Sequence, residues 1–398
     1  MKIHRSLAEA VVRSLQSIFR DNKYADKVIE KTLKENSRWG ARDRRFIAET
    51  TYDIVRWKRF YQEVANTGDH DYWTWLGVWI IQHEYQFPDW EEFATLHIKQ
   101  TRIRLQADYS RKIKESIPDW MDDLCYAELS ERWSKELTSL NEQAQVVLRV
   151  NTLKTCVTDL SALLAKDEIE TDELSSYPDA LTLRKRQNIF QTEHFKNGLF
   201  EVMDAGSQVI APFLEIEPGM RVIDACAGAG GKTLHLAALM KNKGKIIALD
   251  TEQWKLDEQS KRARRAGAFN IETRVIDSGK VIKRLENSAD RLLFDVPCSG
   301  LGVLKRNPDA KWKLSPEFID RVKELQQNIL NDYCQMVKVG GQLVYSTCSI
   351  LPSENEKQIE CFLIQHTDFA LQEEKRRWPS EGFDGFYMAR LKRLSIVN

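Results

Sequence analysis

The sequence lacks any excess of charge: 59 lysines and arginines stand against 59 aspartates and glutamates, for a formal net charge of zero. Affinity for nucleic acid therefore cannot be argued from overall charge and needs local basic patches. No apolar run is long enough to span a bilayer, and Met1-Lys2-Ile3-His4-Arg5 leads into an amphipathic pattern, not the apolar core of a signal peptide. The seven cysteines are an odd number without a CxxC pair, which argues against a disulfide framework or a structural zinc site and fits a reducing compartment. Internal repeats and low-complexity segments are absent too. What remains is a soluble, cytoplasmic protein with no membrane partner, and the lack of a heptad pattern points to a monomer.

A chain of 398 residues has room for two or three domains. Residues 1–140 carry a helical period: Leu7, Val11, Leu15, Ile18 and Phe19 share one face, and Trp73 to Ile81 form a very apolar helix. Basic runs interleave with them (Arg42 to Arg59, His97 to Lys114), each either a solvated face or a phosphate-binding surface. Residues 141–206 read as a small βαβ-type subdomain with strands near Val146–Asn151, Leu181–Leu183 and Gly198–Val202. From residue 207 to 398, strands and helices alternate as in a doubly wound parallel sheet. Strands are expected at Met220–Asp224, Lys245–Leu249, Glu272–Ile276, Arg291–Phe294 and Leu343–Ser346, the last after a glycine pair, Gly340-Gly341, that turns the chain.

Motifs with chemistry sit where these strands end. Asp224-Ala225-Cys226-Ala227-Gly228-Ala229-Gly230-Gly231-Lys232-Thr233 joins a strand to a helix through small residues, so that backbone N–H groups can approach a ligand. It is not a P-loop, because Cys226 occupies the first glycine position, and Thr233 breaks a GxGxxG fingerprint. Asp250, Asp277 and Asp295 end three further strands. Each alone is a common turn former, but together beside a glycine loop they line an adenosine pocket, with Asp250 on the ribose. Cys298 and Cys348 follow two adjacent strands. A lone cysteine is ordinarily a small buried apolar group, whereas two thiols at one sheet edge suggest a thiolate adding to an electrophilic carbon. No third and fourth ligand accompany them at a metal-site spacing. The loop Lys305-Arg306-Asn307-Pro308-Asp309-Ala310-Lys311-Trp312-Lys313 mixes cations with an aromatic ring, and is either a solvated loop or one suited to phosphates and base stacking.

Together, RVNTLK (Arg149–Lys154), DACAGAGGKT, DVPCSG, RNPDAKW, STCS and DGFYMARL (Asp384–Leu391) resemble the RsmB/Nop/Sun family of RNA cytosine-5 methyltransferases, over about Val146 to the C-terminus. RDRRF and WKRF make residues 1–140 similar to the NusB-like RNA-binding domain of the RsmB branch. Ala229 replaces a frequent proline and Val296 a usual alanine of the family pattern. The resemblance implies a Rossmann-like class I methyltransferase domain (207–398), a small α+β subdomain (141–206) and an all-helical NusB-like domain. It implies S-adenosylmethionine as cofactor, and cytosine in small-subunit ribosomal RNA as substrate. Transfer RNA, or a non-catalytic role in ribosome assembly, are the competing readings. Cys226, Ala227, Gly228, Ala229, Gly230, Gly231 and Lys232 would hold the methionine end of the cofactor, Asp250 its ribose and Asp277 its adenine, with Asp295 between cofactor and base. Cys348 would attack C6 of the cytosine, Asp295 would hydrogen-bond the ring, and Cys298 would serve proton removal and release. Arg149, Lys305, Arg306, Lys311 and Trp312 would meet the RNA.

Overall fold

Apolar residues three and four apart build a set of helices, and strands of three to eleven residues, apolar at the centre of the larger sheet, build two sheets. The computed structural model describes residues 3–395, so Met1 and Lys2 of the N-terminal stretch and residues 396–398 of the expected catalytic domain lie outside the description. The chain divides into two compact units, Met1–Glu142 with Leu304–Pro316, and Gln143–Val303 with Glu317–Asn398.

In the helical unit, Leu7, Val11, Leu15 and Ile18 lie on the buried face of the helix Arg5–Phe19, as their spacing predicts. The helix Tyr72–Gln82 has Trp75, Leu76, Val78 and Ile80 fully buried, which explains why it is apolar all round. Asp71 caps it, accepting the Thr74 N–H at 3.2 Å. Residues 304–316, expected in the catalytic domain, instead belong to this unit. The physical reason is specific packing: Trp312 lies against the helical core and donates its indole N–H to the Val55 carbonyl at 2.7 Å.

The second unit holds both sheets, so the boundary expected at 206/207 separates two sheets within one compact body. The strands β1 (Val147–Val150), β2 (Thr171–Glu173), β3 (Ala180–Leu183) and β4 (Phe200–Val202) form a four-stranded sheet in the order β2-β3-β1-β4. Every neighbouring pair is antiparallel, yet β1 and β2 run parallel with β3 between them, making a split βαβ unit around the helix Val157–Lys166. The larger sheet contains β5 (Arg221–Asp224), β6 (Lys245–Asp250), β7 (Ile271–Val275), β8 (Ala289–Asp295), β9 (Val337–Thr347), β10 (Phe369–Arg377) and β11 (Phe386–Arg393), ordered β10-β11-β9-β8-β5-β6-β7. β5 to β9 are parallel, and β10 and β11 complete one edge as antiparallel strands. This is a Rossmann-like methyltransferase fold. The chain proceeds outward from β5 to β7 and then returns to β8 on the other side of β5, creating a switch point where strand ends splay around a crevice. Gly340-Gly341 is not a turn before β9 but an irregularity inside it: the β8–β9 register slips between Ala289↔Val337 and Arg291↔Gln342. Among the described residues no helix is long and apolar enough to cross a membrane.

Candidate active site

Four strand ends converge at the switch point. Asp224 closes β5 and is buried, with Oδ2 accepting the Thr233 hydroxyl at 2.7 Å. Burial pushes its carboxyl up to about 7, against the Thr233 hydrogen bond and with help from the charge of Asp295. Asp250 closes β6 and braces the glycine loop: Oδ2 accepts the Gly228 N–H and Oδ1 the Glu252 N–H, both at 2.9 Å. The loop turns through Gly230 at φ +87°, where a Cβ would stand 2.4 Å from Gln259 Cγ, and the helix Gly231–Leu239 begins at once. Arg262 donates to the Ala229 carbonyl at 2.7 Å and to Glu201 of β4 at 3.0 Å, so the small sheet also steadies this loop. Asp277 stands exposed beyond β7, its carboxylate accepting the Ser278 hydroxyl at 2.9 Å.

Asp295 closes β8. Its Oδ2 accepts the Lys232 ammonium at 2.5 Å and its Oδ1 the Ser346 hydroxyl at 3.0 Å. Burial opposes the Lys232 charge, but the adjacent Asp295 carboxylate outweighs it and holds the ammonium above its ordinary range. Lys232, expected to hold the cofactor with the rest of its loop, is therefore bound to the acid of the site. The sulfurs of Cys298 and Cys348 lie 3.1 Å apart, and the Cys348 N–H points at Cys298 Sγ at 3.3 Å. Both cysteines are free thiols. The hydrogen bond with Cys348, then burial, push the Cys298 thiol well up. Burial, then Asp224, do the same to Cys226, leaving it a poor nucleophile. The two cysteine loops meet at Gly302, whose N–H donates to the Cys348 carbonyl at 2.9 Å. A Cβ there would lie 2.4 Å from the Gly385 carbonyl oxygen and 2.7 Å from that of Cys348.

The pocket fits S-adenosylmethionine. Cβ atoms added at Gly228 and Gly231 would meet nothing within 4 Å, so the loop offers open backbone to a ligand. Asp224 Oδ1, at the end of β5, is buried and has no hydrogen-bond partner among the described residues. Residues 226–231, braced by Asp250 through the Gly228 N–H, form this loop.

The residues expected to meet RNA are placed otherwise. Lys311 is fully buried, and its ammonium donates to Asn141 Oδ1 at 2.5 Å, the Ser116 carbonyl at 3.2 Å and the Arg56 carbonyl at 3.3 Å. Burial, with the nearby Arg56 charge, drives its pKa well down. Lys305 is buried as well, on Glu142 at 3.2 Å. Arg149 is buried within the second unit near Glu201 and Asp179, with burial lowering its pKa to about 10. The expectation that these three cations reach phosphates is corrected: protein acceptors or burial sequester them. Trp312 is partly buried in the helical core, and Arg306 is half-buried. Sequence reasoning missed Glu354, which sits under both cysteine loops; Ser-Glu-Asn-Glu reads as a polar turn, and nothing local marks its acid as buried.

Residues 211–392 match the family model described as 16S rRNA methyltransferase RsmB/F, and residues 117–190 match the ferredoxin-like domain of RsmF/B-like methyltransferases. The probable ribosomal RNA small subunit methyltransferase B of Synechocystis sp. is 36% identical over 301 residues, covering 74% of this chain and 63% of the relative. The protein of the same description from Bacillus subtilis is 39% identical over 223 residues, 56% of this chain and 50% of the relative. This chain thus spans about half to two thirds of the length of these curated relatives. The crystal structure of PH0851 is similar over 99% of this chain and 100% of that one, with a TM-score of 0.84 at 25% identity. Two models from one family, matched in order along a single chain whose strand ends carry the site described above, lead to one conclusion: the chain belongs to the RsmB/F family of S-adenosylmethionine-dependent methyltransferases.

Proposed function

We propose that this chain methylates C5 of a cytosine in small-subunit ribosomal RNA through a covalent adduct between Cys348 and C6 of the base. The observation that carries the reading is the pair of sulfurs 3.1 Å apart beside the Lys232–Asp295 ion pair, at the mouth of a cofactor crevice. A methyltransferase acting on an already nucleophilic atom has no need of two thiols. C5 of cytosine is a weak nucleophile until a thiolate adds to C6, which makes C5 enamine-like. The names of the curated relatives support ribosomal RNA as the substrate class.

In this mechanism the cofactor supplies an electrophilic methyl group. The target base leaves its stack to enter the crevice. Cys348 attacks C6, while Asp295 hydrogen-bonds the ring and the Lys232 ammonium offsets the negative charge that develops on it. C5 then takes up the methyl group. A solvent water molecule takes the C5 proton, the C–H bonding pair re-forms the C5–C6 double bond, and the C6–sulfur bond breaks with Cys348 leaving as a thiolate, which restores the aromatic ring. Cys298 serves that release step as a thiol hydrogen-bonded to the departing sulfur, in keeping with its raised pKa. The helical unit takes a NusB-like role in holding RNA. Exposed cations such as Arg45, Lys99 and Arg102 are better placed for phosphates than the buried Lys305 and Lys311.

The test incubates wild type, Cys298→Ala and Cys348→Ala with S-adenosylmethionine and ribosomal RNA lacking the modification, with transfer RNA in parallel. Cys348→Ala is expected to lose methyl transfer, and Cys298→Ala to accumulate a protein–RNA adduct on a denaturing gel. Methylation by Cys348→Ala would overturn the nucleophile assignment. Transfer to tRNA alone would replace the substrate. Absence of both cofactor binding and transfer in the wild type would favour an assembly factor.

A further inference from the structure

We propose that Glu354 is the positioning residue that holds Cys298 and Cys348 in register, by fastening the loop after β8 to the loop after β9. The kinetic consequence rests on the methyl-transfer reading above; the structural one rests on geometry alone.

Glu354 is fully buried at the end of the short turn Pro352–Glu354. Its Oε2 accepts the Ser299 N–H at 2.8 Å and the Gln326 side-chain amide at 3.0 Å. Its Oε1 accepts the hydroxyls of Ser299 and Ser349, each at 2.5 Å. Ser299 adjoins Cys298 and Ser349 adjoins Cys348, so one carboxylate grips the chain one residue from each thiol. Gln326 also donates to the Pro297 carbonyl at 3.0 Å, on the other side of Cys298. Asn355 repeats the grip on the second loop, accepting the Thr347 hydroxyl at 2.5 Å and donating to the Ser349 carbonyl at 3.0 Å. The Tyr345 hydroxyl donates to the Glu354 carbonyl at 2.7 Å and anchors the turn itself to β9.

Burying a carboxylate is costly, and these acceptor bonds come from neutral groups. An apolar residue would fill the space without that cost, but could not span two loops with charge-assisted bonds. The Gly302 N–H bond to the Cys348 carbonyl and a Ser299–Ser349 hydroxyl contact at 3.2 Å also link the loops; the carboxylate adds bonds to both loops at the residues next to the thiols. The negative charge of Glu354 also contributes to keeping Cys298 a thiol, after the Cys348 hydrogen bond, burial and Cys348 itself, which leaves the attack to Cys348.

The experiment compares Glu354→Gln with wild type in the full chain. Glutamine keeps the shape but has one acceptor end: with its oxygen toward the Ser299 N–H and the Gln326 amide, its N–H hydrogens face the Ser299 and Ser349 hydroxyls, which must then accept and lose the charge-assisted bonds they donate to the carboxylate. Three readouts are taken: cofactor affinity by calorimetry, kcat and KM with ribosomal RNA, and the rate at which diamide oxidises the Cys298–Cys348 pair, followed by peptide mass mapping. In that oxidation the two thiols give two protons and two electrons to the diazene, which becomes a hydrazine. The expected result is cofactor affinity within about threefold of wild type, kcat lower by ~10–100-fold at little-changed KM, and disulfide formation slowed at least ~10-fold. A purely structural acid would lower the melting temperature and leave the kcat and the oxidation rate of the folded protein unchanged, and that outcome overturns the proposal. Should Glu354→Gln fail to fold, Ser299→Ala and Ser349→Ala each remove one tether; oxidation at the wild-type rate in both would overturn it equally. If the wild type methylates no RNA, the proposed function fails, and the oxidation rate, which requires no RNA, still decides the role of Glu354.

Discussion

Asp224 shows how one buried side chain couples the site to pH. Its carboxyl is raised from an ordinary 3.8 to about 7, chiefly by burial, so the folded chain favours the protonated form. The stability associated with that proton is complete below about pH 4 and is lost as pH rises through about 7. Asp224→Asn keeps an acceptor for Thr233 without the charge. Relative to wild type it should be neutral near pH 4 and increasingly stabilised toward pH 8, by up to about 4 kcal/mol. Thermal melts of both proteins across that range test this, and a difference that does not change with pH would refute it. Individual residues were unevenly legible. Cys298, Cys348 and Asp295 could be singled out because each follows an apolar run that can only be a strand, and a parallel sheet gathers strand ends. Lys305, Lys311 and Glu354 could not, because a charged residue in a polar loop looks solvated until its burial is known. For Lys311 and Glu354 that burial depends on acceptors or donors far away in sequence.

At the scale of the element, the strand–loop–helix unit around residues 221–239 does most to form the crevice. Its loop is shaped by a positive φ at Gly230 and by the Asp250 carboxylate of the neighbouring strand. Alanine at Gly230 would strain the backbone by ~1–2 kcal/mol and push into Gln259, which is fully buried. The expected outcome is a lower melting temperature and a loss of S-adenosylmethionine affinity of at least ~10-fold by calorimetry. Unchanged affinity would remove the loop from the cofactor site. The strands β5 to β8 were legible nearly to their ends, since buried parallel strands are largely continuous apolar runs and Asp224, Asp250 and Asp295 terminate three of them, whereas β9 begins six residues before the expected Leu343. The glycine pair at 340–341 was misread because glycine serves turns and bulges alike. Only the partner strand shows which, and here β8 does so by its slipped register. The small sheet was visible as strands around a helix, but its order, with β3 inserted between β1 and β2, is a matter of pairing that local patterns do not encode.

For the whole molecule, the division into two units makes a prediction about fragments. A polypeptide ending at Glu142 lacks Leu304–Pro316, and with it the Trp312 ring and the Lys311 ammonium that meets acceptors at Asn141, Ser116 and Arg56. Such a fragment should melt below the intact unit, and a peptide of residues 304–316 added in trans should raise its melting temperature. Replacing the tryptophan of that peptide by alanine should weaken the rescue by ~2–3 kcal/mol, since the ring is only partly buried. A fragment indifferent to the peptide would return this segment to the surface role its composition suggested. Taken alone, the sequence determined the element types, the alternation that makes a doubly wound sheet, and the motifs at its strand ends, because hydrophobic period and turn chemistry act over a few residues. Tertiary structure alone decided which cations are buried, that Lys232 pairs with Asp295, that two sulfurs lie 3.1 Å apart, and that one carboxylate spans both cysteine loops. Those facts depend on groups 50 or more residues apart being brought within a hydrogen bond, and only the folded chain fixes such distances.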